Sequence, residues 1–132
     1  MGDGWRMSKQ GFKELQVWQR AKKLAVNVYK LTTVDSMARQ YALADQIRRS
    51  SISVPSNIAE GDERDTDKDS VRFFYIAKGS LAELITQLEI AHEVGLLTAE
   101  QITPLSTECV EIGRMLGALI KSRSVTNPPY RP

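Results

Sequence analysis

QIRRSSISVPSNIAEG, residues Gln46–Gly61, decides how the rest of the chain is read. Ile47, Ile52 (or Ser51), Val54, Ile58 and Ala59 recur at helical spacing, as the buried stripe of an amphipathic helix does. Between them stand Arg48, Arg49, Ser50, Ser53, Ser56, Asn57 and Glu60, with Pro55 in the middle. A proline inside a helix removes one backbone donor and clashes with the carbonyl four residues back, so a kink is expected near Ser51. The hydroxyls of Ser50, Ser51 and Ser53 are expected to cap the carbonyls freed there. Gly61 is expected to end the helix, because glycine enters the left-handed conformation without steric cost.

The flanking segments repeat the helical period. Before it, Leu15, Val17, Trp18, Ala21, Leu24, Ala25, Val28, Tyr29 and Leu31 share one wide arc, with Lys9, Lys13, Gln16, Arg20, Lys23, Asn27 and Lys30 opposite. The arc is broader than one contact needs, which leaves Trp18 or Tyr29 for another subunit. After it, DERDTDKD at 62–69 is a turn whose acids precede a helix, where the dipole favours them, and Thr66 or Asp67 is the expected cap. Val71, Phe74, Ala77, Leu81, Leu84, Leu88 and Ala91 then mark the longest helix, interrupted by the small Gly79 and Ser80. Glu83 and Glu89 lie beside that stripe, where a carboxylate wants an arginine; Arg48 or Arg49 is the expected partner. Breaking such a buried pair costs on the order of 3–5 kcal/mol. Gly95 closes the helix, Thr98 to Gln101 fits a capping box, and Thr103-Pro104 offers a second start.

Helices at about 12–32, 37–60, 68–94 and 103–123 with short links predict an all-α, antiparallel up-down four-helix bundle. Residues 1–11 are expected to be a disordered leader without the apolar core of a signal peptide, and 124–132 a flexible tail. The chain of 132 residues is large enough for one domain with a real core. No apolar run approaches the roughly 18–20 residues that span a bilayer. Cys109 stands alone, so no intrachain disulfide forms and a reducing cytoplasm is the expected setting.

Chemistry is thinly represented. Glu89-Ile90-Ala91-His92 has the Glu-x-x-His form of di-iron bundles, but those sites need two such elements, and His92 is the only histidine. The acidic turn lacks the ligand spacing and glycine of a calcium loop. No Walker-type loop, Ser-His-Asp set or Cys-His set is found. The chain therefore reads as a non-enzyme without metal or cofactor. Its overall charge of +2 hides an asymmetry: net +5 up to Gly61 and net −3 from Asp62 onward. Such halves suit subunit contacts or a partner with phosphates.

FKELQVWQRAKKLAVNVYKLT at 12–32, YALADQIRRSSISVPSNIAEG at 41–61 and FFYIAKGSLAELITQLEIAHEVGLL at 73–97 together resemble the bacterial four-helix-bundle family of proteins encoded by intervening sequences in large-subunit ribosomal RNA genes, also called S23 ribosomal proteins. The resemblance covers about Phe12 to Lys121, and SVPSNIAEG followed by IAKGSLAEL is its most specific part. SMARQ before Tyr41 and Ala42 depart from the family pattern. The resemblance implies a ring-shaped homopentamer and kinship with the accessory protein of diversity-generating retroelements, which works with a reverse transcriptase and its RNA. It also matches Trp18, Arg49, Ser53, Pro55, Asn57, Glu60, Gly61, Gly79, Ser80 and Glu83 to the family motif.

Two functions follow as expectations. The preferred one is a non-enzymatic oligomeric bundle that binds structured RNA or a nucleoprotein through Lys13, Arg20, Lys23, Lys30, Arg48 and Arg49. The alternative is a structural or protein-interaction scaffold with no nucleic-acid role. In either, Arg49, Ser53, Asn57, Glu60, Ser80 and Glu83 are expected to form a polar network that fixes helix register; a ligand or RNA site is the other reading of these residues.

Overall fold

The computed structural model describes residues 11–125; the expected leader up to Gln10 and the tail from Thr126 lie outside them. Helix α1 spans Gln16–Leu31, α2 Tyr41–Asp62, α3 Asp67–Glu93 and α4 Ala99–Val125, with short 3-10 turns at Gly11–Glu14 and Asp35–Met37. Each helix packs on its sequence neighbours, and α4 returns against α1 to close the bundle. No strand occurs among the described residues. The chain is thus an all-α four-helix bundle.

Phe74, Leu24, Ile47, Ile58, Leu84, Leu88, Ile112 and Leu116 are fully buried at its centre. Each large apolar side chain removed from water contributes roughly 1.5–3 kcal/mol. Trp18, partly buried against this core, lies edge-on to Phe12 with ring centroids 5.2 Å apart.

Three expectations about helix ends are corrected. Gly61 does not terminate α2: it is helical and buried, and the helix continues to Asp62. Its lack of a side chain serves packing, because a Cβ there would lie 2.7 Å from Phe74 Cε1 and 3.0 Å from the Ser70 carbonyl oxygen. The Ser70 hydroxyl uses this closeness to donate to the Gly61 carbonyl at 2.6 Å. The second helix begins at Tyr41, since residues Asp35–Met37 form a separate 3-10 turn. The fourth helix starts at Ala99 and runs through Pro104 without interruption. The reciprocal bonds from Thr98 N–H to Gln101 Oε1 (2.9 Å) and from Gln101 N–H to Thr98 Oγ1 (3.1 Å) nucleate it before the proline arrives.

Other ends follow the sequence. Thr66 Oγ1 accepts from the Asp69 N–H at 3.2 Å. Gly95, at φ 86°, completes a Schellman turn in which Leu96 N–H reaches the Ala91 carbonyl and Gly95 N–H that of His92, both at 2.9 Å.

Candidate functional site

Pro55 cannot donate to the Ser51 carbonyl, yet α2 passes through it as one helix. The serine hydroxyls do not cap that carbonyl. Ser51 Oγ donates to the Arg48 carbonyl at 2.9 Å and Ser50 Oγ to that of Ile47 at 3.2 Å, one turn earlier. A hydroxyl on a helix reaches the carbonyls behind it, so the freed carbonyl is out of its range. Ser53 points away from its own backbone, toward α3.

There the structure brings part of the expected polar network together. Ser53 Oγ and Ser80 Oγ are 2.8 Å apart, and Asn57 Nδ2 donates to both the hydroxyl and the carbonyl of Ser53 at 2.9 Å. Ser50 Oγ bonds Gln87 Oε1 at 2.6 Å. Gln46, Arg49, Ser50, Ser53, Glu83 and Gln87 line one open groove between α2 and α3. Glu60 does not join; it pairs with Arg64 one turn away. Gln46 and Gln87 escaped the sequence reading, because nothing in their local pattern foretells a partner on another helix.

The expected buried pair of Glu83 or Glu89 with Arg48 or Arg49 is absent. Both glutamates are exposed. Arg48 stacks 4.4 Å from the Tyr29 ring centroid and donates from Nε to Thr32 Oγ1 at 2.8 Å. Arg49 pairs with Asp45 on its own helix at 2.9 Å, 77% exposed. Leu84 and Leu88 fill the buried stripe as their spacing predicts, and Glu83 and Glu89 beside them turn outward rather than inward to an arginine.

The basic residues separate into groups. Lys23 and Lys30 are exposed two turns apart on α1, with exposed Asn27 between them. Lys13 is exposed on the 3-10 turn before α1. Arg20 belongs to the bundle: Nε and Nη2 each donate to Glu108 of α4 at 2.8 Å, and these hydrogen bonds raise its pKa above the ordinary value. A bidentate fork on a carboxylate has few donors left for a phosphate. Arg48 and Arg49 line an open groove with Tyr29, Asp45, Ile52 and Ser53. This adjoins a second groove of about 470 Å³, lined by Lys22, Ala25, Val26, Tyr29, Lys30, Ile52 and Pro55. Lys22, which the sequence reading did not single out, has its Nζ 5.2 Å from the Trp18 ring centroid.

His92 Nδ1 lies 2.9 Å from the Leu97 carbonyl oxygen, where it holds the turn after α3. Among the described residues no group of three or more His, Cys, Asp and Glu is placed to hold a metal ion, and no helix is long and apolar enough to cross a membrane.

A four-helix bundle with paired serines at the α2–α3 contact and basic residues on α1 and α2 is the class this architecture defines. Residues 13–118 match the family described as 23S rRNA-intervening sequence protein, and the chain belongs to that family. It is similar to a crystal structure, at 1.70 Å resolution, of a protein of unknown function from the S23 ribosomal protein family of Bacteroides thetaiotaomicron. The two are 25% identical with a TM-score of 0.71, over 80% of this chain and 98% of that one. No curated protein matches the chain.

Proposed function

We propose that this protein is a non-enzymatic, oligomeric bundle that binds structured RNA, alone or within a nucleoprotein such as a reverse transcriptase complex. The observation that carries this reading is the exposure of Lys30 and Arg49 on two adjacent helices, each lining a groove that also holds Tyr29, with Lys23 exposed two turns from Lys30 beside a separate groove. Cations placed along one face contact successive phosphates, and each contact releases a counterion. The aromatic ring of Tyr29, 48% exposed, adds a surface on which an unpaired base stacks. The family's link to intervening sequences of 23S rRNA supports the same direction. Arg20 is left out of the track because Glu108 holds it.

Assembly into a homopentameric ring, which the resemblance implies, multiplies these weak faces into one avid surface. The exposed apolar side chains of Val26, Tyr29, Ile52 and Ile76 favour a second reading, a protein-interaction scaffold.

Fluorescence anisotropy with a structured RNA, titrated from low to physiological salt, tests the proposal. Wild type is expected to bind with affinity that falls with salt. Lys23→Ala/Lys30→Ala is expected to bind more weakly with a salt slope shallower by about 2, whereas Arg20→Ala leaves the slope unchanged. Absence of binding at low salt overturns the RNA reading and leaves the scaffold.

A further inference from the structure

In the groove between α2 and α3, polar groups converge without using each other up. Ser80 is 6% exposed, so its hydroxyl proton needs an acceptor inside the protein, and Ser53 Oγ at 2.8 Å is the partner it has. Ser53 Oγ then accepts from Ser80 and from Asn57 Nδ2, and turns its own proton to the groove that it lines. Gln87 Oε1 accepts from the buried Ser50, which leaves the Gln87 amide N–H groups to the same space. Arg49 spends Nε on Asp45 and keeps both Nη groups. The charged acceptor of the set is the Glu83 carboxylate on α3. It is exposed and has no hydrogen bond or ion pair among the described residues.

These groups state what an occupant of this groove of about 400 Å³ must present: paired donors to Glu83 and paired acceptors to Arg49. An ionised carboxylate only accepts, and a guanidinium only donates. Among the nucleobases, guanine alone sets two donors, N1–H and N2–H, side by side for one carboxylate. Its O6 and N7, on the adjoining edge, take an arginine fork. Adenine and cytosine place a ring acceptor next to their amino group, and uracil flanks its single N–H with carbonyls. Each of those would turn a lone pair on Glu83. Arg49 and Ser53 also line the groove that holds Tyr29, so the two grooves are continuous at these side chains.

We propose that the α2–α3 groove reads guanine, with Glu83 on the N1 and N2 edge and Arg49 on O6 and N7. The proposal rests on the RNA reading above for the source of the base, an unpaired guanine whose edges are open to side chains. A free guanine nucleotide offers the same edges, and the experiment separates the two sources.

Fluorescence anisotropy at fixed low salt tests this with a hairpin RNA whose loop carries guanine, inosine or adenine at one position. Inosine differs from guanine only in lacking the N2 amine. Wild type is expected to prefer guanine by at least about fivefold, the scale of one bidentate contact. Glu83→Gln is expected to bind the three loops equally. A purely electrostatic role of Glu83 shifts all three affinities together and leaves the preference, so a preference that survives in Glu83→Gln overturns the site. Calorimetric titration with GMP, and AMP as its control, identifies the source. Guanine preference in the RNA without GMP binding assigns the site to RNA. GMP binding that is lost in Glu83→Gln, with no preference among the loops, keeps the site and assigns it to a free nucleotide. Equal affinity for the three loops with no GMP binding overturns the guanine site and leaves the RNA reading standing. Absence of both RNA and GMP binding overturns the two together.

Discussion

Gly61 and Gly79 are both helical, yet a methyl group added to them meets opposite surroundings. At Gly61 it runs into the buried Phe74 ring and the Ser70 carbonyl, neither of which is a flexible chain end. Alanine gains about 1 kcal/mol over glycine in a helix, but overpacking a core typically costs about 1–3 kcal/mol. Gly61→Ala is therefore expected to lose up to roughly 2 kcal/mol in urea unfolding. Serine hydroxyl donation from Ser70 to Gly61 marks the same tight crossing, so the loss is expected to accompany faster exchange of amides at the α2–α3 corner.

Cys109 makes a second prediction at this scale. Burial, reinforced by the neighbouring Glu108 charge, pushes its thiol from an ordinary 9.0 up to about 12. Below pH 9 the thiol is protonated in both folded and unfolded chains, and this contribution to stability is fully present. Between about 9 and 12 the unfolded chain sheds the proton while the folded chain holds it, so stability falls as pH rises. The urea midpoint of wild type is expected to decline over that range more steeply than that of Cys109→Ala, the difference isolating the thiol from lysines and tyrosines. Equal declines would show that Cys109 is not held from ionising.

Elements whose ends rest on local chemistry were legible in the sequence. Thr66 as a cap, Gly95 as a stop and the Thr98–Gln101 capping box need only neighbours in the chain, and each appears in the structure. Two signals misled because a tertiary or competing term outweighed them. Gly61 looked like a stop, but α3 presses against it. Thr103-Pro104 looked like a start, but the capping box five residues earlier had already begun the helix, and Pro104 is exposed and forfeits one bond at the edge. The polar groove was half legible. Ser53, Asn57 and Ser80 were legible through the resemblance to the family motif rather than through their spacing. Ser50 with Gln87, 37 residues apart, could not be read without the packing that joins them. The arginine partners failed for the same reason. Sequence spacing ranks which side chains share a face, but Arg48 chose Tyr29 and Thr32 on α1 over any carboxylate on α3.

The bundle as a whole is assembled mostly between sequence neighbours, so its closure depends on how the last helix is tied back. Arg20 to Glu108 ties α4 to α1, with side chains 41% and 31% exposed. Arg123 to Asp62 ties the end of α4 to the end of α2 at 3.0 Å, with side chains only 23% and 18% exposed. The Arg123 guanidinium also lies 5.3 Å from the ring centroid of Phe74 on α3, so three helices meet at this one side chain. An ion pair shielded from water loses less to screening than one at the surface, and removing a partner leaves the other desolvated. Arg123→Ala is therefore expected to lower the unfolding free energy by about 1.5–3 kcal/mol, the range for hydrogen bonds to charged groups. Arg123→Lys keeps the charge but loses the planar fork, and is expected to fall between wild type and alanine. Hydrogen exchange separates local from global effects: the final turns of α4 and the end of α2 should open sooner, while amides around Ile47 and Leu84 in the middle of the bundle change only with global stability. If Arg123→Ala leaves both the unfolding midpoint and the exchange at that corner unchanged, the pair does not hold the bundle closed, and packing of Ile112 and Leu116 together with the Arg20–Glu108 pair secures α4.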